Sequence, residues 1–458
     1  MHIDAIVAGL AGNPALPPEL FLRLVRYRRG LGEVARRADL TSDAIDAIIA
    51  TDDHRLLHSL ALNRHLPDTV RLRLAGHPDG AVRAALVVSG RGTPRELYLR
   101  LVDDPDKRVR EYLAQHDDVP ADVRGRLAHD PDPDVRATLA QWWTDAPEEM
   151  RRSLLTDPVD AVRGAACSTY FRRLPHPVPP ADLVAGLLED PVTRASAVRH
   201  ADLTSAIARR LADDPDGSVR EALAGHPRLP ADVRDRLGDD REPGVRIAVF
   251  AWQDTPEPLR RRIHEQVLGL RYEMELWMLE LPWVTADPLP HVDSPYPCFR
   301  AAAAAAGASL PAHVVHRLLH DDDSTVRTAM AFQAPHLVDP VTAERIDRDY
   351  RPVKRTGDRP ADWLTFPQAT LRRLATDPDP RMRQLAPRDP DLPPALAARL
   401  AADPEPVVRG SVAGHPRLPA ATLISLLADQ SAWVAQAAAG SPALSPAEMD
   451  RLLIAAGL

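Results

Sequence analysis

Two cysteines, Cys167 and Cys298, are all that the 458 residues contain. That excludes a disulfide framework and a four-cysteine metal site. Lysine is almost absent too: apart from Lys107 and Lys354, every one of the 57 basic residues is arginine. With abundant Ala, Pro and Asp, this reads as the codon bias of a high-GC bacterial genome rather than a chemical demand. Aromatic residues make up 4%, so the core must be built from Leu, Val, Ile and Ala. A basic excess is also missing, since the net charge is −8. Non-specific nucleic-acid binders ordinarily carry such an excess, so the charge speaks against that partner. No apolar run approaches the ~18 residues of a membrane span, and the opening "MHIDAIVAGL" has no basic segment ahead of an apolar stretch. The expectation is a cytoplasmic protein without a membrane partner.

What the chain does have is proline and repetition. Its 46 prolines are about twice the usual ~5% share, against only 22 glycines. Proline therefore stands at fixed positions and not in a low-complexity linker. The dipeptide Val-Arg recurs with its valine at Val82, Val109, Val135, Val162, Val219, Val245, Val326 and Val408. The intervals are 27, 26, 27, 57, 26, 81 and 82, multiples of one unit of 26–27 residues. Weaker copies fill the long gaps, and Leu56, Val34 and Ile6 extend the series backwards. About sixteen units cover residues 1–458, leaving no room for a separate catalytic domain.

Each unit reads as two short helices. The first opens at a proline, as in Thr93-Pro94-Arg95-Glu96 and Ser445-Pro446-Ala447-Glu448, which fit a capping box with proline at the first helical position. An Asp-Pro loop stops it. The second helix carries the Val-Arg pair, and in "VREALAGHP" Val219, Ala222, Leu223 and His226 share one face. Helices shorter than ~12–15 residues are marginal alone, so each unit must bury its apolar face on the next. The expected fold is all-α, an α-solenoid, drawn as a right-handed superhelix. Residues 1–65 are expected to be degenerate N-terminal capping repeats and 435–458 a C-terminal cap. Residues 271–297 are expected to form a proline- and aromatic-rich insertion, and 343–363 a basic, degenerate repeat.

The run "LADDPDGSVREALAGHPRLPADVRDRL" at 211–237 resembles the leucine-rich repeat variant family, and its Asp-Pro…Val-Arg core also resembles HEAT repeats. The unit is shorter than a HEAT unit, which favours the first comparison. The resemblance implies a helical repeat architecture and says little about function, because such arrays bind many unrelated things. The best-known type in the variant family carries an N-terminal cysteine cluster for an iron–sulfur centre. Here no cysteine precedes Cys167, so no cofactor is carried over.

Aspartate recurs five positions before the valine and arginine one position after it. Asp104, Asp130, Asp157, Asp214, Asp240, Asp321 and Asp403 make one row; Arg110, Arg136, Arg163, Arg220, Arg246, Arg327 and Arg409 make the other. In HEAT-like proteins the matching residues form a ladder between units. A carboxylate accepts loop N–H groups and a neighbouring guanidinium forks onto it. A metal-binding or phosphate-binding row is the functional alternative. Seven positions after the valine stand His116, His200, His226 and His415, but also Asn13, Asn63, Ser89, Gln333, Asp389 and Ser441. These are not interchangeable as metal ligands, and all suit a polar residue closing a helix.

The pattern breaks where that position reads tryptophan, at Trp142 and Trp252. Trp143, Tyr170, Phe250, Trp277 and Trp283 lie near these breaks. Small residues elsewhere, Ala114, Ala224, Gly225, Ala413 and Gly414, suggest a smooth groove with these aromatics as partner-binding anchors; filling of gaps in the core is the alternative. Residues 343–363 concentrate Arg345, Arg348, Arg351, Lys354, Arg355 and Arg359. No GxGxxG, P-loop, HExxH or GxSxG motif occurs, and the His-Asp fragments at His129 and His320 fall on the Asp-Pro loop. The expected function is a non-catalytic scaffold that binds a protein or peptide. The alternative is a HEAT-like nucleic-acid binder or glycosylase-like enzyme, faintly echoed by Trp142, Trp143 and Asp145.

Overall fold

A computed structural model describes residues 2–27, 32–88, 94–167, 178–269, 281–350 and 359–458. Every regular element among these residues is a helix, α or 3-10. Residues 205–224 show why the chain folds this way. Thr204 stops the preceding turn, and its hydroxyl accepts the Ile207 N–H at 3.3 Å, capping helix Ser205–Ala212. In the following loop Asp214 accepts the N–H of Asp216, and Asp216 accepts that of Ser218, both at 2.9 Å. The second of these bonds caps helix Gly217–Ala224, which buries Val219, Ala222 and Leu223. Both helices have eight residues, too few to persist unless packed. They stack on the corresponding helices of the next unit, Ala231–Leu237 and Pro243–Phe250.

The opening proline has two placements. Pro446 is the first residue of its helix, and the Ser445 hydroxyl accepts the Glu448 N–H at 3.2 Å. Pro120, Pro230 and Pro419 instead stand one residue ahead of their helices and offer no side-chain cap. Proline there presets the entry of the chain without bonding it.

The chain divides into two compact units: residues 1–135 together with 367–458, and residues 136–366. The first unit is discontinuous in sequence. Its opening helices α1 (Ile3–Gly12) and α2 (Pro18–Val25) pack on α3 (Ala432–Ala439) and α4 (Pro446–Ala455) near the other end of the sequence. These segments face each other. Ile6, Val7, Leu10 and Ala11 of α1 and Val434, Ala435, Ala438 and Ala439 of α3 are all buried. The second unit has an aliphatic core through most of its length and an aromatic one around Phe250, Tyr296 and Phe299. No described helix is long and apolar enough to cross a membrane.

Candidate functional site

The aspartate and arginine rows form bonds between successive units. Arg220 forks onto both carboxylate oxygens of Asp240, with Nε at 2.7 Å and Nη2 at 3.0 Å, while its Nη1 donates to the Asp214 carbonyl at 2.8 Å. Asp240 in turn accepts the Glu242 N–H at 2.9 Å. The same fork joins Arg110 to Asp130, Arg136 to Asp157 and Arg409 to Asp429. It also joins Arg83 to Asp104, Arg300 to Asp321 and Arg383 to Asp403. Burial acts to raise the Asp240 carboxyl and is outweighed by Arg220 and the Glu242 N–H, so it lies below the usual carboxylate range.

The ladder weakens beside the breaks in the repeat. Arg163 reaches Asp190, 27 residues on, through Nε alone, and Arg194 reaches Asp214 through one nitrogen. Arg327 takes Asp349 through Nη2, with its Nε buried and unbonded. Among the described residues Arg246 bonds the Asp240 carbonyl alone, and its Nε is buried without a partner. No group of three or more His, Cys, Asp or Glu that could hold a metal ion occurs among the described residues.

The histidine position makes a second joint. His226 Nδ1 accepts the Arg228 N–H at 3.1 Å, and Nε2 meets the Ala201 carbonyl of the preceding unit at 3.2 Å. An amide N–H can only donate, so Nδ1 carries no proton, Nε2 carries one, and the ring is neutral. Burial likewise pushes the His226 imidazole below its ordinary value. His415 repeats this geometry with Arg417 and the Asp389 carbonyl. Asn63 reproduces it with an amide: Oδ1 accepts from His65, and Nδ2 donates to the carbonyls of Ala35 and Arg37. Sequence reasoning anticipated a helix-closing residue here and missed the bond to the preceding unit.

A third set escaped the sequence reading. Arg71, Arg124, Arg151, Arg234 and Arg260 each stand four residues after a first-helix proline, and that spacing was the available signal. Arg71 bonds the carbonyls of Leu66 and Arg64, Arg234 that of Leu229, and Arg260 those of Phe250, Trp252 and Gln253. Arg124 donates to the Asp117 carboxylate in the same way, so these four tie the first helix to the segment that precedes it, whereas Arg151 donates to the Val178 carbonyl of the next unit.

The aromatic residues separate by environment. After helix Pro133–Trp142 the turn comes one residue later than in the unit of His226, so Trp143, not Trp142, stands where His226 does: its carbonyl accepts the Ala146 N–H as that of His226 accepts the Leu229 N–H. Trp143 is buried and Trp142 half-buried, with Asp145 exposed beside them. Phe250 is fully buried and belongs to the core, not to a groove. Ala114, Ala224 and Ala413 are also fully buried: their small side chains permit close packing of helices and do not line an open surface. Tyr170 and Trp277 fall outside the described residues. In the basic stretch, Arg345 donates to the Leu319 carbonyl and Arg348 pairs with Glu344. Arg359 pairs with the fully buried Asp347. Arg351, Lys354 and Arg355 lie outside the described residues.

Trp252 stands ahead of the interrupted repeat and Trp283 lies within it. Trp283 Nε1 donates to the Ala251 carbonyl at 3.0 Å, and Arg260 takes the Trp252 carbonyl beside it. Around it the missing aliphatic contacts are replaced by rings. Phe250 lies 5.2 Å from both Tyr296 and Phe299, and Trp283 lies 5.4 Å from Phe299 and 4.9 Å from His291, between ring centres. The Arg260 guanidinium sits over Trp283 and Phe299. Above this cluster opens a cleft of about 530 Å³ whose lining includes Glu257, Arg260, Trp283, Asp287, His291 and Tyr296. The Tyr296 hydroxyl donates to Glu257 at 2.8 Å, and burial together with that carboxylate pushes it up to about 12. Asp293, also on the rim, pairs with Arg317.

With no strand among the described residues and the same two joints recurring along its length, the chain is an α-helical repeat protein. No family model matches it, and no curated protein does. Among solved structures it is similar to a leucine-rich repeat variant, with 22% identity over 47% of this chain and 87% of that one, at a TM-score of 0.33. It is also similar to an engineered protein, with 15% identity over 92% of this chain and 97% of that one, at a TM-score of 0.15. A third likeness is to a mutant of Kap121p, with 15% identity over 92% of this chain and 44% of that one, at a TM-score of 0.20.

Proposed function

We propose that this chain is a non-catalytic scaffold that binds a protein through a peptide segment, and that the cleft beside Trp283 takes a basic side chain of that segment. The observation that carries the reading is the composition of the cleft. Glu257, Asp287 and Asp293 stand around an aromatic floor of Trp283, Tyr296 and Phe299. Among the described lining residues the one guanidinium, Arg260, is already bonded to three backbone carbonyls; Arg317 pairs with Asp293 and Arg261 with Glu257 from outside the lining, which leaves Asp287 as the carboxylate for an incoming charge. A space of about 530 Å³ falls within the roughly 300–1,000 Å³ of ordinary ligand pockets. An arginine or lysine entering it gains charge-assisted bonds to the Asp287 carboxylate and ring faces for its stem.

A peptide array probed with the full chain tests this. Peptides with arginine or lysine next to apolar residues are expected to be retained, in a salt-sensitive manner. A Glu257→Gln/Asp287→Asn variant is expected to bind them about tenfold more weakly, equivalent to 1.4 kcal/mol. Selection of neutral or acidic peptides, or an unchanged selection by the variant, would sink the proposal.

A further inference from the structure

The contact of α1 and α2 with α3 and α4 is built from the same bonds as the joints inside the array. Asn13 is fully buried; its Oδ1 accepts the Ala15 N–H at 2.9 Å, and its Nδ2 donates to the carbonyls of Ala439 at 2.9 Å and Ser441 at 2.8 Å. Asn63 does this with His65, Ala35 and Arg37, and His415 reaches the corresponding Asp389 carbonyl. The first repeat therefore treats the last as its predecessor, across 428 residues of sequence. Packing is as close as the bonding. A Cβ on Gly9 would lie 2.2 Å from the Gln436 carbonyl oxygen and 2.8 Å from the Ala439 Cβ, so only glycine fits. His2 meets the Gln430 carbonyl at 2.9 Å, and Arg23 pairs with Asp450 and donates to the Leu458 carbonyl.

Joints within the array hold repeats that a short loop already connects. This seam holds two faces that no short loop connects, and each copy of the chain carries both faces. The head, α1 and α2 with Gly9, Asn13 and Arg23, fits the tail, α3 and α4, on whichever copy presents it. We propose that the seam is an exchangeable interface whose partner, once it opens, is a second copy of this chain, joined head to tail through the bonds just described. Within one copy the tail sees its own head at an effective concentration on the order of millimolar, so the closed chain prevails until its own seam is blocked.

Two complementary variants test the exchange. Gly9→Val with Asn13→Asp spoils the head: the added carbons meet the Gln436 backbone, and a carboxylate faces two carbonyls. Ala439→Phe with Asp450→Arg spoils the tail. Neither variant can close its own seam or pair with itself, but a mixture holds one sound head and one sound tail. Sedimentation velocity is expected to show a monomer for each variant alone and a 1:1 complex on mixing. Amide exchange is expected to show residues 2–25 deprotected in each variant alone and residues 32–88 protected as in the wild type. A mixture of folded, open variants that stays monomeric overturns the proposal. So does undiminished protection of residues 2–25, because Gly9 and Asn13 would then not govern the seam. Should either variant unfold throughout, the wild-type chain decides. Refolded from denaturant, it is expected to give a dimer fraction that rises with protein concentration, and a monomer at every concentration refutes the exchange.

Discussion

At the seam of the first unit, a repeat meets its neighbour without a connecting loop. Between residues 251 and 299 of the second unit, the chain runs on but the pattern is lost. The two places compensate with different chemistry. The seam relies on small side chains and directed bonds: Gly9 lets helix backbones approach, and Asn13 sets the register with two carbonyls. The interrupted repeat has a weakened ladder, with Arg246 lacking its carboxylate fork, and fills the space with rings around Phe250. Directed bonds fix one geometry and leave little open space. Rings fill space without fixing an edge, and beside them a cleft remains.

The largest effect expected from breaking this contrast is at the rings. Phe250→Ala should remove about 4 kcal/mol from residues 136–366, read as a lower urea midpoint by the tryptophans there, with amide protection of residues 32–88 unchanged. Next comes the regular ladder. Asp240→Ala strands the Arg220 guanidinium and the Glu242 N–H and should cost about 3 kcal/mol. Arg246→Ala, which lacks that fork, should cost less than half as much in the same unfolding assay. At the seam, Gly9→Ala should cost about 2 kcal/mol, although alanine favours helix more than glycine does. Its signature is faster amide exchange confined to residues 2–25 and 432–458.

Smaller still is the effect of pH. The folded pKa of His226 lies below that of an unfolded histidine, near ~6.5, because of burial. As the pH falls through ~6.5 the unfolded chain takes up the proton first, so stability declines until the pH passes the folded value. His226→Asn keeps both bonds, as Asn63 does, and should flatten that decline in melting curves taken between about pH 7 and 5. The smallest change is expected at Trp252, whose indole N–H is buried without a partner. Trp252→Phe should therefore shift stability by no more than ~0.5 kcal/mol, and a larger loss would show that the indole carries something the ring alone does not.

Much of the array was legible because its rules are local. A spacing of 26–27 residues, Asp ahead of the recurring valine and Arg behind it, and proline at most entries are short-range patterns, and the helices follow from them. Three features were not legible for physical reasons. The turn after the helix ending at Trp142 comes one residue late, which places Trp143 in it, and no local residue marks that shift. The buried alanines looked like open groove because alanine suits both a bare surface and a tight helix contact. The seam joins residues 428 apart, and its one trace in the sequence was Asn13 standing at the position of Asn63. The cleft depends on Trp283 packing back against Ala251 and Phe299, which spacing alone does not reveal.

The neutral imidazole joint has a consequence for how such a chain drifts. Histidine, asparagine and aspartate codons differ only in their first base. Single-nucleotide changes therefore interconvert the residues found at His226, His415, Asn13, Asn63 and Asp389. The first two kinds supply one acceptor and one donor alike, so that exchange is nearly silent. Aspartate keeps the acceptor, with Asp389 taking the Asp391 N–H, and forfeits the donor; Arg372 fills the remaining oxygen. An aspartate at this joint thus has to arrive with, or after, an arginine on a neighbouring helix, which makes the order of mutation itself a prediction for a lineage of such repeats.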